Sequence, residues 1–249
     1  MTSTKDVTLG VTCYNEQDTI GPTLETLVTA LEDCGLSGEI IVMDDASTDS
    51  SVTVVREFIN RHPDADIAHR LNPSNKGMVW EVFEAAALGK GRYFWAVAGD
   101  NTVTPEACRA LFSAIGKADI VIPKVLAYRN RSWHRRTISK LYVLAVNILS
   151  GYRISYYNGS AIYEREVIAA FKDVIPEFSY SADMIVRLLD SGKSFIEVPV
   201  IYNDRPDGRS SALTWAHVID VLRFFGRLAV RRICRAVADV TARARQTRT

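Results

Sequence analysis

Ile40-Ile41-Val42-Met43-Asp44-Asp45-Ala46-Ser47-Thr48-Asp49 is the stretch from which the fold can be read. Its four leading apolar residues read as a buried strand, and two carboxylates stand where that strand ends. The Ser-Thr-Asp cluster then opens a helix, because these side chains accept from N–H groups that a first helical turn leaves unpaired. In an open α/β sheet, ligands bind beyond the carboxyl ends of the strands. Paired acids at such an end suit hydrogen bonding to a ribose or base, or metal-assisted chemistry. The plain alternative is a strand end with a capping turn.

On either side the chain alternates strand and helix. Val7–Cys13 reads as a strand, followed by the polar turn Tyr14-Asn15-Glu16-Gln17-Asp18. A helix is expected from about Thr19 to Cys34, with Ile20, Leu24, Leu27, Val28 and Leu31 at the 3.6-residue period. Helix Ser51–Arg61, a short strand near Ile67–Arg70, helix Met78–Leu88 and strand Tyr93–Ala98 follow. Pro105-Glu106 suits a first helical turn, and Asp119–Pro123 reads as a fifth strand. This alternation predicts an α/β fold, a mostly parallel sheet with helices on both faces. Beyond it lie an apolar helix at Ile138–Leu149, a helix around Ala182–Asp190, a strand at Val198–Tyr202 and a terminal amphipathic helix from about Leu213 to Ala238. The expected organisation is a domain over residues 1–212 and a basic amphipathic helix and tail over 213–249.

With 249 residues, 47% hydrophobic and 24% charged, the chain can bury a large core. A net charge of +1 gives no global field for nucleic acid, and none is expected as a partner. The charge is unevenly spread, however: from Arg223 to Thr249 there are eight Arg and one acid, Asp239. Cys13, Cys34, Cys108 and Cys234 show no paired spacing, so neither zinc nor a disulfide framework is indicated and a reducing cytoplasm is the simplest setting. No apolar targeting region opens the sequence, and no apolar run approaches the ~20 residues that span a bilayer. A soluble or peripheral protein is expected.

Asp44-Asp45, Asp100 and Glu16 beside Tyr14 all stand at strand exits of the predicted sheet. Three polar exits in one parallel sheet converge on one edge and read as one site. A tyrosine ring there can stack on a base, and an acid beside a diphosphate can hold Mg²⁺ or Mn²⁺ through oxygen ligands. Asp64-Ala65-Asp66 also has an acid pair, but it precedes a strand and reads as a solvated loop at the opposite edge.

In these motifs the chain resembles the glycosyltransferase family 2 enzymes. The resemblance is carried by Thr12-Cys13-Tyr14-Asn15-Glu16, Asp44-Asp45-Ala46-Ser47-Thr48-Asp49, Asn75-Lys76-Gly77 and Gly99-Asp100-Asn101 with Pro105-Glu106. Asn158-Gly159, Glu197-Val198-Pro199-Val200 and Arg205 with Gly208 and Ser210 continue it, so that it spans about Val7 to Ser211. The layout is similar to that of the dolichyl- or polyprenyl-phosphate sugar transferases. The resemblance implies a GT-A-like fold and a nucleoside-diphosphate sugar donor. It implies that Thr12, Tyr14, Glu16, Met43, Asp44 and Asp45 line the nucleoside pocket, with Lys76, Ala98, Gly99 and Asp100 completing the nucleotide-sugar site.

Asp100 matches the last acid of the family's Asp-x-Asp motif, which holds Mg²⁺ or Mn²⁺ on the diphosphate; Ala98 replaces the first acid. By the same resemblance Lys124, just after the fifth strand, and Arg136 meet acceptor phosphate. Arg205 neutralises the departing diphosphate, and Arg209 stands in for a usual lysine that is Ser211 here. Asp183 is a general base, an acceptor-orienting residue or a residue of a helix's first turn.

The expected activity is metal-assisted, inverting sugar transfer to a polyprenyl phosphate, in cell-envelope glycolipid or polysaccharide synthesis at the cytoplasmic face of a membrane. The alternatives are transfer to a saccharide or other hydroxyl with Asp183 as base, and a non-catalytic nucleotide-sugar-binding protein, for which Ala98 is the motive. A nucleotidyltransferase would need a Gly- and Arg-rich loop after the first strand, which Thr12–Asp18 lacks. Residues 129–136, helix 138–149 and the Arg-striped terminal helix suit a membrane surface. The competing reading is that the same two helices pack on the core or form a homo-oligomer contact.

Overall fold

The computed structural model describes residues 5–129, 133–157, 159–169, 171, 179–203 and 215–246. Its strands are β1 (Lys5–Cys13), β2 (Gly38–Asp44), β3 (Ile67–Leu71), β4 (Gly91–Ala98), β5 (Ile120–Arg129), β6 (Ile162–Glu164) and β7 (Phe195–Asn203). They form one sheet in the order β3-β2-β1-β4-β6-β5-β7. β1 pairs in parallel with β2 and β4, and β2 with β3, so four carboxyl ends reach one edge. Three-residue β6 runs antiparallel between β4 and β5, and β7 closes the far edge parallel to β5.

Helices α1 (Ile20–Asp33), α2 (Ser51–Arg61), α3 (Met78–Leu88), α4 (Pro105–Phe112), α5 (Trp133–Ser150), α6 (Arg165–Ala169), α7 (Tyr180–Asp190) and α8 (Trp215–Gln246) connect and cover the strands. The period-2 alternation of a strand divides the core in two. Ile40 and Val42 of β2 join α1, α2 and α4 in one cluster, whereas Ile41 and Met43 join α3, α5, α7 and α8 in the other. The expected α/β architecture with helices on both faces is observed.

Several boundaries differ from the sequence reading. β5 runs on through Pro123 to Arg129, so Lys124 lies within the strand and not after it. A proline is tolerated there because β6 pairs with β5 only at Ile120 and Val121; beside Pro123 no β6 carbonyl asks for its missing N–H. β6 and α6 were not expected, being three and five residues long, too short to show a period. The apolar residues of α5 divide between core and surface. Val146 is buried, while Ile138, Leu141, Leu144 and Ile148 are exposed. α8 packs on the core, with its Phe224 and Leu228 fully buried in the second cluster.

Candidate active site

The exits of β1, β2 and β4 are built alike. Each strand gives way to a turn containing one non-glycine residue in the left-handed region: Asn15 (φ 55°), Ala46 (φ 63°) and Asn101 (φ 53°). Such a conformation costs on the order of 1 kcal/mol for a residue with a Cβ and collects at functional sites. Backbone bonds carry the ladder past the strand ends, with Asp45 N donating to Cys13 O (2.8 Å) and Gly99 N to Thr12 O (2.9 Å). At Gly99 a Cβ would stand 2.9 Å from Thr12 O, so the close approach of the two exits requires glycine.

Side chains then interlock the first two turns. Asn15 N donates to Ser47 Oγ (3.0 Å) and Thr48 N to Asn15 Oδ1 (2.8 Å). Glu16 N donates to Ser51 Oγ (2.8 Å), and Gln17 N to Asp49 Oδ2 (3.2 Å). Partial burial pushes the Asp49 carboxyl up, but hydrogen bonds from Ser51 and Gln17 outweigh it and hold the group below its ordinary range. The Ser-Thr-Asp cluster therefore joins two loops. The side chain of Ser50, which precedes α2, makes no cap bond.

Asp44 and Asp45 are both almost fully buried, yet differ in bonding. Asp45 Oδ1 accepts from Asn72 Nδ2 (2.9 Å) and Lys76 N (2.8 Å), and its Oδ2 accepts from Gly77 N (2.7 Å). It holds the Asn72–Gly77 loop, whose Gly77 (φ 88°) uses a conformation open to glycine. Asp44 Oδ1 accepts from Ser47 N (2.8 Å), while its Oδ2 is buried with no hydrogen-bond partner among the described residues. A third buried carboxyl, Glu81 in the first turn of α3, accepts from Cys13 N at 3.4 Å. Burial, with Asp45 and then Asp44 nearby, pushes its pKa up to about 9. Glu81 is therefore a neutral acid at pH 7. Burial and the Asp44 charge likewise push the Cys13 thiol up to about 12.

Asp100 is buried at the end of β4, where its Oδ1 accepts from Thr102 Oγ1 (2.8 Å) and Thr102 N (3.2 Å). Thr23 Oγ1 accepts from Asn101 N (2.9 Å) and fixes the same turn. Asp100 supplies a hard carboxylate oxygen of the kind Mg²⁺ and Mn²⁺ prefer, and Ala98 adds none. Among the described residues no group of three or more His, Cys, Asp or Glu could hold a metal. The donor set fits a cation whose remaining ligands are diphosphate oxygens and water, as Mg²⁺ commonly takes them.

The structure thus brings Thr12, Asp44, Asp45, Gly99 and Asp100 to one edge, with Tyr14 48% exposed beside them. The Met43 side chain is instead buried with Ile41 and Val82, which leaves the strand backbone to face the edge. Lys76 Nζ lies 3.8 Å from the centre of the Trp80 ring. Lys124 is half-buried and Arg136 exposed. Asp66 pairs with Lys5 (3.0 Å) at the opposite edge, where the sequence put it. Arg205 and Arg209, with Asn158, Gly208, Ser210 and Ser211, lie outside the described residues.

Asp183 stands in the first turn of α7, one of its three expected readings. Its buried carboxylate is held by Arg231 Nη1 (2.7 Å) and Arg187 Nε (3.1 Å), with Arg227 Nη2 at 3.9 Å. Sequence reasoning also missed Glu81 and Asn72. The signal for Glu81 was an acid one turn after Gly77 in a largely apolar helix.

Residues 8–171 match the family described as Glycosyl transferase family 2. The chain belongs to that family. One relative of this family 2 glycosyltransferase is an undecaprenyl-phosphate 4-deoxy-4-formamido-L-arabinose transferase from Edwardsiella ictaluri. It is 27% identical over 206 residues, 82% of this chain and 62% of the relative, so the chain spans less than two thirds of that protein. Glucosyl-3-phosphoglycerate synthase from Mycobacterium tuberculosis, solved with Mn²⁺, UDP-glucose and phosphoglyceric acid, superposes with a TM-score of 0.64. It is 15% identical, over 90% of this chain and 80% of that one. The mannosyltransferase PcManGT from Pyrobaculum calidifontis, solved with GDP-mannose and Mn²⁺, gives a TM-score of 0.55 at 20% identity, over 82% of this chain and 58% of that one. These likenesses establish the GT-A-like fold.

Proposed function

We propose that this family 2 glycosyltransferase moves a sugar from a nucleoside diphosphate to the phosphate of a polyprenyl carrier, with inversion, at the cytoplasmic face of a membrane. The observation that carries the reading is the shared strand-exit edge, where a buried Asp44 oxygen lacks a partner among the described residues and Asp100 stands at the next strand but one. A buried acceptor without a donor calls for one, and a ribose hydroxyl or base N–H supplies it. Tyr14 offers its exposed ring to the base. The polyprenyl phosphate follows from what the Edwardsiella relative's name says of that protein. The four cysteines are free thiols, as a reducing cytoplasm keeps them.

In the reaction an acceptor phosphate oxygen attacks the anomeric carbon from the face opposite the diphosphate. The bond to the diphosphate oxygen breaks, and its electron pair leaves with the nucleoside diphosphate. Asp100 would hold Mg²⁺ or Mn²⁺, which when bound offsets charge on the diphosphate. Asp45 keeps the Asn72–Gly77 loop in place, and the Asn15–Ser47 interlock orients the nucleoside edge. A lipid phosphate is already anionic at neutral pH and needs no base. That agrees with an Asp183 whose carboxylate is engaged by arginines, and it disfavours a hydroxyl acceptor with Asp183 as base.

Incubation with UDP-, GDP- and CDP-sugars, Mn²⁺ and undecaprenyl phosphate tests the proposal. Nucleoside diphosphate and a glycolipid should form together. Release only with a saccharide acceptor would favour the hydroxyl reading, and donor binding without release under every condition would make this a nucleotide-sugar-binding protein.

A further inference from the structure

α5 and α8 lie side by side and run in the same direction. Tyr142 meets Phe225 (ring centres 5.8 Å apart), the Ile148 carbonyl accepts from Arg232, and Tyr152 Oη accepts from Arg235 (3.2 Å). The offset between partners barely changes along the pair, which defines the parallel alignment. α8 spends much of its arginine stripe on the protein itself. Arg231 grips Asp183, while Arg235 grips Asp190 and the Ser150 carbonyl (2.8 Å).

What faces outward is apolar. α5 exposes Ile138, Leu141, Leu144 and Ile148, spaced three or four residues apart. α8 exposes Val218, Ile219, Leu222, Val230 and Ile233, Leu222 being 62% accessible. Two apolar rows on adjoining helices make a patch of a kind that soluble surfaces seldom leave uncovered.

We infer that this α5/α8 face docks on a bilayer leaflet carrying anionic headgroups. Charge complementarity selects that occupant. From Trp133 to Arg153 the chain has no acid, and Arg136, Lys140 and Arg153 are exposed. On α8, Arg223 and Arg232 are exposed as well. A second copy would bring the same positive rim against itself, whereas anionic lipid gains on the order of 1 kcal/mol per cation at the surface. No helix among the described residues is long and apolar enough to cross a membrane, so the face would lie in the interface plane. α5 begins just beyond the carboxyl end of β5, so the docked face starts beside the edge that holds Asp100. A lipid-linked acceptor is thereby delivered to that edge; this last step rests on the proposed function, but the docking itself does not.

Co-sedimentation of the full chain with vesicles of phosphatidylcholine, alone or in equal parts with phosphatidylglycerol, tests the docking. Binding should require phosphatidylglycerol and fall about tenfold or more in a Leu141→Glu, Leu222→Glu, Val230→Glu variant whose melting temperature is unchanged. Absence of binding, equal binding to both vesicles, or binding unaffected by the three glutamates overturns it. So does a dimer that the glutamates convert to monomer. The assay contains no donor or acceptor, so its failure leaves sugar transfer standing. Nucleoside diphosphate release in detergent tests transfer without a bilayer.

Discussion

Hydrogen bonding divides the work of the neighbouring acids Asp44 and Asp45. Asp45 spends both oxygens on the Asn72–Gly77 loop, whereas one Asp44 oxygen has no hydrogen-bond partner among the described residues. Glu81 beneath them avoids a third buried charge by staying protonated. An acid whose folded pKa lies above its unfolded one retains a proton that the unfolded chain has released. Stability therefore falls as pH rises between the ordinary value of 4.5 and about 9. The slope from one such proton is about 1.4 kcal/mol per pH unit. Glu81→Gln, neutral at every pH, should lose that slope. Urea unfolding of both proteins at several pH values in that window should give curves that diverge as pH rises, and parallel curves would mean that Glu81 is ionised in the folded chain. At position 98 the missing acid makes a second test. Asp100→Ala should lower metal-dependent turnover about a hundredfold or more. Ala98→Asp, which restores the Asp-x-Asp pattern, should lower the Mn²⁺ concentration for half-maximal activity about tenfold. An unchanged Mn²⁺ requirement in Ala98→Asp would show that this side chain does not reach the diphosphate.

Among the elements, α7 and α8 meet through Asp183, and the same residue separates two readings of the chemistry. Removing a buried charge from arginines that face it costs about 3 kcal/mol. Asp183→Asn should therefore lower the melting temperature by several degrees while turnover stays within a few-fold of the parent. A loss of turnover without loss of stability would return Asp183 to the role of base. The sequence held only half of this. Asp183 read correctly as a residue of a helix's first turn, but the arginines that engage it from α8 lie more than forty residues away, and no local pattern announces them. Elements with a clear period were legible to the residue, as Ser51–Arg61 and Met78–Leu88 show. β6 was not, since its three residues are set by the strands on either side. Pro123 misled because a proline ends a strand only where the neighbour that its nitrogen faces needs the N–H. At the site, the strand-end acids were legible because position in a parallel sheet determines them. Which oxygen remains open to a ligand depends on loops that meet only after folding.

Over the whole molecule, the division expected at residue 212 meets a core that does not stop there. Phe224 and Leu228 of α8 are fully buried in the cluster that also contains Ile120 of β5, Val146 of α5 and Ile185 of α7. Deleting either side chain to alanine alone costs about 2–5 kcal/mol, and a domain's entire stability is about 5–15 kcal/mol. A chain ending at 212 loses both side chains, and with them the arginine grip on Asp183 and Asp190. It should therefore fail to hold a rigid fold, keeping its far-ultraviolet helical signal while losing near-ultraviolet dichroism and binding a hydrophobic dye. The full chain should unfold in one transition seen alike by both signals. If residues 1–212 instead melted cooperatively near the temperature of the full chain, α8 would be an appendage after all. Its arginines would then be free to serve a partner, where the present packing has them hold the molecule together.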